Sequence, residues 1–232
     1  MSVPQPDAGQ LRAGLAAVLF DMDGLLVDTE PVWYEVERRV MAKLGGTWGP
    51  GDQQNLVGGP LSRSLGYMLG KAARPVEPGV LAEWMTSGLV DLVRERPVAL
   101  LPGAAELLTA LSAARVPHAL VTSSERRVME AVLESAGLEF SVTVCSADVT
   151  RAKPDPEPYL LGAKLLGAPP EQCVALEDSP NGVAAAEAAG CMAVAVPNVA
   201  PIEPGPRRFV VDSLREVSVT KLRELAAAHQ RN

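Results

Sequence analysis

Cysteine is scarce: three residues, Cys145, Cys173 and Cys191, lie far apart in a chain of 232. With no close pair among them, neither a disulfide framework nor a zinc knuckle is expected, and a reducing compartment suits the chain. Histidine is scarcer still, and His118 and His229 have no partner at ligand spacing, so neither is given a role. Lysine and arginine total 21 against 28 acids, for a net charge of -7 with no basic cluster. That excludes a nucleic-acid surface, which needs clustered cations against the phosphate backbone. Any phosphate bound here must be held locally. No apolar run approaches the roughly 18 residues of a membrane span, and MSVPQPDAGQLRAG lacks the apolar centre of a signal peptide. The expectation is a cytoplasmic chain with no membrane or nucleic-acid partner, a monomer by default. Aromatics make up only 4%, and Trp33, Trp48 and Trp84 are expected to pack rather than stack on a substrate.

Acid is present where it is least expected. The apolar run ending at Phe20 leads directly into FDMDGLLVDTE, which holds three aspartates and a glutamate. Like charges this close repel, and a metal cation is the simplest compensation. Ala16 to Phe20 reads as a strand buried on both faces. Pro31 then opens a helix that carries Val32, Val36, Val40, Met41 and Leu44 and stops at Gly45-Gly46. Residues 47 to 79 are rich in Gly and Pro, with one helix near Leu61 to Leu69, and Val80 to Arg96 is helical again.

Beyond Pro97 the pattern alternates. Helices are expected over Ala104 to Ala114, Glu125 to Ala136, Pro156 to Leu166, Gly182 to Ala189 and Lys221 to Ala228. Strands are expected over His118 to Thr122, Val142 to Cys145, Cys173 to Leu176, Met192 to Val196 and Phe209 to Val211. Such alternation implies an α/β fold: a doubly wound, Rossmann-like parallel sheet with helices on both faces. The helical piece interrupts it after the first strand and reads as an inserted cap. The expected division is a leader over 1–13, a catalytic core over 14–30 and 98–232, and a helical cap over 31–97.

Ligands of open parallel sheets sit outside the carboxyl ends of the strands. Polar groups follow four strands here: Asp21-Met22-Asp23-Gly24, Thr122-Ser123-Ser124, Lys153 after the strand ending at Cys145, and Glu177-Asp178-Ser179. Taken singly, each has a structural reading. Asp21 and Asp23 are ordinary turn residues, Thr122 to Ser124 and Asp28-Thr29 are helix caps, Lys153 is a loop lysine, and Glu177 to Ser179 open a helix. For Asp28 and Thr29 the structural reading is preferred. Their shared edge reverses the reading for the others. Together they hold what phosphoryl transfer through an aspartate requires: a carboxylate nucleophile, oxygen ligands for a hard cation, a hydroxyl and an ammonium for the phosphate, and an acid for the leaving oxygen.

In FDMDGLLVDTE, LVTSS, the lysine of RAKPDPEPY, and LEDSPNGVAAAEAAG, the chain resembles the haloacid dehalogenase superfamily of phosphatases. The resemblance lies in the branch of beta-phosphoglucomutase and small sugar-phosphate phosphatases, and it runs from about Ala16 to Val211. It implies that Asp21 is the nucleophile and Asp23 the general acid and base. It also implies that Thr122, Ser123 and Lys153 hold the phosphoryl oxygens. Asp21, the backbone carbonyl of Asp23, and Asp178 would hold Mg2+, with Glu177 in direct contact with the ion or one layer out.

The implied activity is hydrolysis of a small phosphorylated metabolite, a sugar phosphate, through a phospho-aspartyl intermediate. The alternative is a sugar phosphomutase. That reading is weakened by Leu61 in LVGGPLSRS, where a cap arginine is expected, although Arg63 follows two residues later. Glu30 and Trp33 also favour a hydrolase. A receiver-type phospho-switch would place its acidic pair before the phosphorylated strand and would lack the helical insert.

Overall fold

The computed structural model describes residues 14–54, 56, 61–198 and 200–231. The expected leader and most of the LVGGP loop lie outside them. Among the described residues six strands form one parallel sheet: β1 (Ala17–Phe20), β2 (His118–Val121), β3 (Thr143–Val144), β4 (Cys173–Glu177), β5 (Met192–Ala195) and β6 (Arg208–Val210). Their order is β3-β2-β1-β4-β5-β6. The doubly wound, Rossmann-like expectation holds. After β1 the chain builds the sheet towards β3, then returns to build β4, β5 and β6 on the other side. The reversal falls between β1 and β4, and in such sheets the crevice at the reversal point is where ligands bind.

The central strand shows why the sheet is buried twice. Successive side chains of β1 point to opposite faces. Val18 and Phe20 enter one apolar cluster, and Ala17 and Leu19 enter the other. Helices α5 (Ala104–Ala113), α6 (Arg126–Ala136) and α9 (Val219–His229) contribute to the first cluster, and α7 (Glu157–Leu165) and α8 (Pro180–Ala188) to the second. In this chain order α1 to α4 precede α5, between β1 and β2. They are α1 (Glu30–Lys43), α2 (Pro50–Gln54), α3 (Leu61–Lys71) and α4 (Pro78–Glu95). The described part of this piece holds no strand. Its two connections to the sheet run side by side: Asp28 N–H donates to Ala99 O at 3.0 Å and Leu101 N–H to Leu26 O at 2.8 Å.

Three local differences from the sequence reading have physical causes. The short helix α2 is unanticipated, because Pro and Gly open it; its Asp52 carboxylate accepts from Gly49 N–H at 2.9 Å and closes the turn. Strand β3 is two residues rather than four, since it is an edge strand with a neighbour on one side only. Helix α8 begins at Pro180, two residues early, where Ser179 Oγ caps Gly182 N–H at 3.1 Å. The cysteines also differ. Cys173 opens β4 and Cys191 directly precedes β5, and a hydrogen bond with the Cys173 thiol, with burial, pushes the Cys191 thiol far above its ordinary value. No disulfide joins them. His118 packs edge-on against Phe20 and Phe140, and His229 Nε2 lies 2.9 Å from Gly190 O.

Gly103 holds the N-cap position of α5, and its φ of +95° belongs to the left-handed region. A Cβ there would stand 2.3 Å from the backbone nitrogen of Arg215. Gly103→Ala should therefore lose about 2 kcal/mol or more of stability. A urea melt reads this directly, and an unchanged midpoint would show that the 214–215 backbone yields freely.

Candidate active site

The site grows out of the sheet's reversal point. Asp21 leaves β1, Glu177 ends β4, and both are buried. Lys153, from the loop before α7, enters between them with 9% exposure. Its Nζ donates to Asp21 Oδ1 at 2.6 Å, to Glu177 Oε1 at 2.5 Å and to the β2-terminal carbonyl of Val121 at 2.9 Å. All three ammonium protons thus have an acceptor. Tyr159 OH donates to Glu177 Oε1 at 2.6 Å, and Ser179 Oγ to Glu177 Oε2 at 3.2 Å. Both glutamate oxygens are engaged inside the protein. Burial alone would lower the Lys153 pKa, but the two carboxylates outweigh it and hold the ammonium above its ordinary range.

Asp178 follows Glu177 and opens towards the same space. One oxygen each from Asp21, Glu177 and Asp178 lies within 4.8 Å of the other two. Burial is the main reason the Asp21 carboxyl is pushed up to about 8, with Glu177 and Asp23 adding to it and Lys153 opposing it. Asp178 is pushed up to about 9, again by burial first and by Asp21 and Glu177 next. Three acids this close are more than one ammonium offsets. A hard cation with oxygen ligands suits the donor set, and nitrogen or thiol ligands are absent from it.

Asp23 stands apart from this group, held by hydroxyls. Thr29 Oγ1 donates to its Oδ1 at 2.6 Å and Ser124 Oγ to its Oδ2 at 2.8 Å, while Thr122 Oγ1 lies at 3.5 Å. Just past Asp23 the chain turns at Gly24, φ +78°, where a Cβ would stand 2.3 Å from Asp178 Oδ2. Only glycine lets the two segments approach so closely.

The capping readings fare unevenly. Thr29 holds the N-cap position of α1 but makes no cap bond with its side chain; the hydroxyl goes to Asp23 instead. Helix α6 is preceded by Glu125, also without a side-chain cap. The Thr122 hydroxyl accepts from Ser124 N–H at 3.0 Å, which tightens the turn after β2. Ser179 does cap α8.

These groups line a cavity of about 330 Å³. Asp21, Asp23, Thr122, Ser123, Lys153 and Asp178 all reach it from the sheet edge, so the four predicted segments converge. Glu177 lies beneath, fully buried. The opposite wall comes from α1 to α4, with Glu30, Trp33, Glu37, Gln53, Leu61 and Met85. Trp33 therefore faces the cavity, against the expectation of packing alone. Trp48 and Trp84 do pack: Trp48 Nε1 donates to buried Glu37 at 2.9 Å, and Trp84 lies under Lys43. Burial is also the main reason the carboxyls of Glu30 and Glu37 are each pushed up to about 7. Arg63 is exposed and absent from the lining.

Sequence reading included Ser124 of LVTSS only in the polar cluster after β2 and assigned it no role at Asp23. It passed over Tyr159, the last residue of RAKPDPEPY, and Gln53, for which the sequence carries no signal.

A carboxylate at a strand end, a lysine shared by two buried acids and an oxygen donor set thus meet at the reversal point. Residues 15–190 match the model of the haloacid dehalogenase-like hydrolases. The chain belongs to that family, and its enzyme class is phosphoric monoester hydrolase. It is 38% identical to Hexitol phosphatase A of Escherichia coli over 88% of this chain and 93% of that one. It is 34% identical to a phosphorylated carbohydrates phosphatase of Thermotoga maritima over 76% and 82%. Among solved structures, a mutant of CbbY from Rhodobacter sphaeroides, in complex with xylulose-(1,5)bisphosphate, aligns with a TM-score of 0.81 at 29% identity. That alignment covers 90% of this chain and 99% of CbbY.

Gly182, in the first turn of α8, leaves room for Glu177: a Cβ would stand 1.9 Å from the carboxyl carbon. Gly182→Ala should expel the carboxylate from its bonds with Lys153 and Tyr159 and cost about 2 kcal/mol or more. An unaltered denaturation midpoint would show that Glu177 has space to move aside.

Proposed function

We propose that the chain is a magnesium-dependent phosphatase of small sugar or polyol phosphates, working through a phospho-aspartyl intermediate. The observation that carries this reading is convergence. Four segments far apart in sequence bring Asp21, Asp23, Thr122, Lys153 and Asp178 to one cavity at the sheet's reversal point. The relatives' names, hexitol phosphatase and phosphorylated carbohydrates phosphatase, support the substrate class.

In this reading a carboxylate oxygen of Asp21 attacks phosphorus, and the bond to the ester oxygen breaks as the aspartyl phosphate forms. Asp23, kept in place by Thr29 and Ser124, delivers its proton to the departing alkoxide. The same carboxylate then takes a proton from water, whose oxygen attacks phosphorus and frees Asp21 and inorganic phosphate. Lys153, anchored by Glu177, meets a phosphoryl oxygen, and the Thr122 hydroxyl and the backbone at Ser123 meet the others. Asp21, Asp178 and the carbonyl of Asp23 would hold magnesium, with Glu177 nearby. When bound, the ion offsets the clustered acids and the charge of the phosphoryl group. Residues 31–97 act as the cap that closes the site from water. Leu61 in the cavity wall and the exposure of Arg63 count against the mutase alternative.

Asp21→Asn should abolish release of phosphate from p-nitrophenyl phosphate with magnesium while leaving the circular dichroism spectrum intact. Retained turnover would remove Asp21 as the nucleophile. A second expectation concerns pH. The raised Asp21 and Asp178 carboxyls favour the folded state while protonated, so their contribution is full below about pH 4 and is lost as pH rises through 8 to 9 in metal-free protein. Magnesium must displace those protons. The rise in melting temperature on adding magnesium should be larger at pH 8 than at pH 5.5, and an equal rise at both would take these carboxyls off the ligand list.

A further inference from the structure

The cap-side wall of the cavity has a composition that chemistry at phosphorus does not call for. Glu30, Trp33 and Glu37 stand at i, i+3 and i+7 on α1, which puts all three on one helix face, and all three reach the cavity. Gln53 Nε2 donates to the Glu30 carboxylate at 3.2 Å and to its main-chain carbonyl at 3.1 Å, fixing the side chain across the gap between α1 and α2. Glu37 is buried and held by Trp48. Facing them, the core contributes Glu125 beside Asp21, Asp23 and Asp178.

Among the described residues Lys153 is the one cation of the lining, and Asp21 and Glu177 already share it. The stretch 55–60, NLVGGP, holds no lysine or arginine either.

Above about pH 7, where Glu30 and Glu37 are ionised, they accept hydrogen bonds and donate none, so a group that meets this wall favourably must bring hydroxyl protons. A second anion would meet like charges in a partly dehydrated space and find no ammonium or guanidinium to offset it. We propose that Glu30, oriented by Gln53 and reinforced by Glu37, selects phosphate monoesters whose far end is a neutral polyol and rejects bisphosphates and phosphorylated sugar acids. This rests on the phosphatase reading and narrows it. The fold itself does not forbid a bisphosphate, since the CbbY structure holds one. The discrimination belongs to this chain's α1 and α2.

The test compares two substrates of matched length, glucitol 6-phosphate and 6-phosphogluconate, which differ by a carboxylate at the end far from phosphorus. The full-length enzyme with magnesium should show kcat/KM at least 100-fold higher for glucitol 6-phosphate. Glu30→Gln should cut that ratio about tenfold. Gln53→Lys, which adds a cation to the wall, should raise kcat/KM for 6-phosphogluconate at least tenfold, a gain that a merely structural role for Gln53 does not produce. If p-nitrophenyl phosphate is turned over but the wild-type ratio is near one, or neither variant moves it, the selector is refuted and the phosphatase reading stands. If no phosphate ester is turned over at all, both fail together.

Discussion

One ammonium group organises this protein. Lys153 is buried with two carboxylates and a main-chain carbonyl around it, and each of those partners terminates a different strand of the sheet. A buried charge is tolerated only when paired and hydrogen-bonded. Taking any one acceptor away leaves the others with an uncompensated partner. The ends of β1, β2 and β4 are thereby tied to a single point, which is also where the chain's direction of winding reverses.

The pairing leaves a surplus. Lys153 offsets one negative charge, while Asp21, Glu177 and Asp178 carry three carboxyls within a few ångströms, and burial first, then the neighbouring acids, raises the pKa values of Asp21 and Asp178. Such a cluster of oxygen donors is suited to a hard cation. Glu177 has the opposite character. Lys153, Tyr159 and Ser179 satisfy it from within, so it serves as the floor on which the lysine stands. Gly24 and Gly182 make the arrangement possible, because at both positions a methyl group would occupy the space of a carboxylate.

The two halves of the cavity divide the work. The sheet edge supplies the groups that, in the proposed reaction, act on phosphorus, and most of them come from turns directly after buried strands. The helical segment supplies the wall of Glu30, Trp33, Glu37 and Gln53, which under the same proposal faces the rest of the substrate. The wall on α1 and α2 and the cluster around Lys153 thus come from separate parts of the chain.

The local alternation of apolar runs determined the α/β character, the place of the helical insert and most element positions, since strand and helix periodicities are written in neighbouring residues. Asp21, Asp23, Thr122, Lys153 and Asp178 were legible for a related reason: each follows an apolar strand directly or, like Lys153, lies in the loop after one. The resemblance supplied their roles. Tertiary structure decided what depends on non-local approach. Thr29 and Ser124 turned from caps into partners of Asp23, Trp33 came to face the cavity, Cys173 met Cys191, and Tyr159 came under Glu177. None of these follows from spacing along the chain, because a hydroxyl or an indole has several satisfactory partners locally, and only packing selects which one lies within about 3 Å.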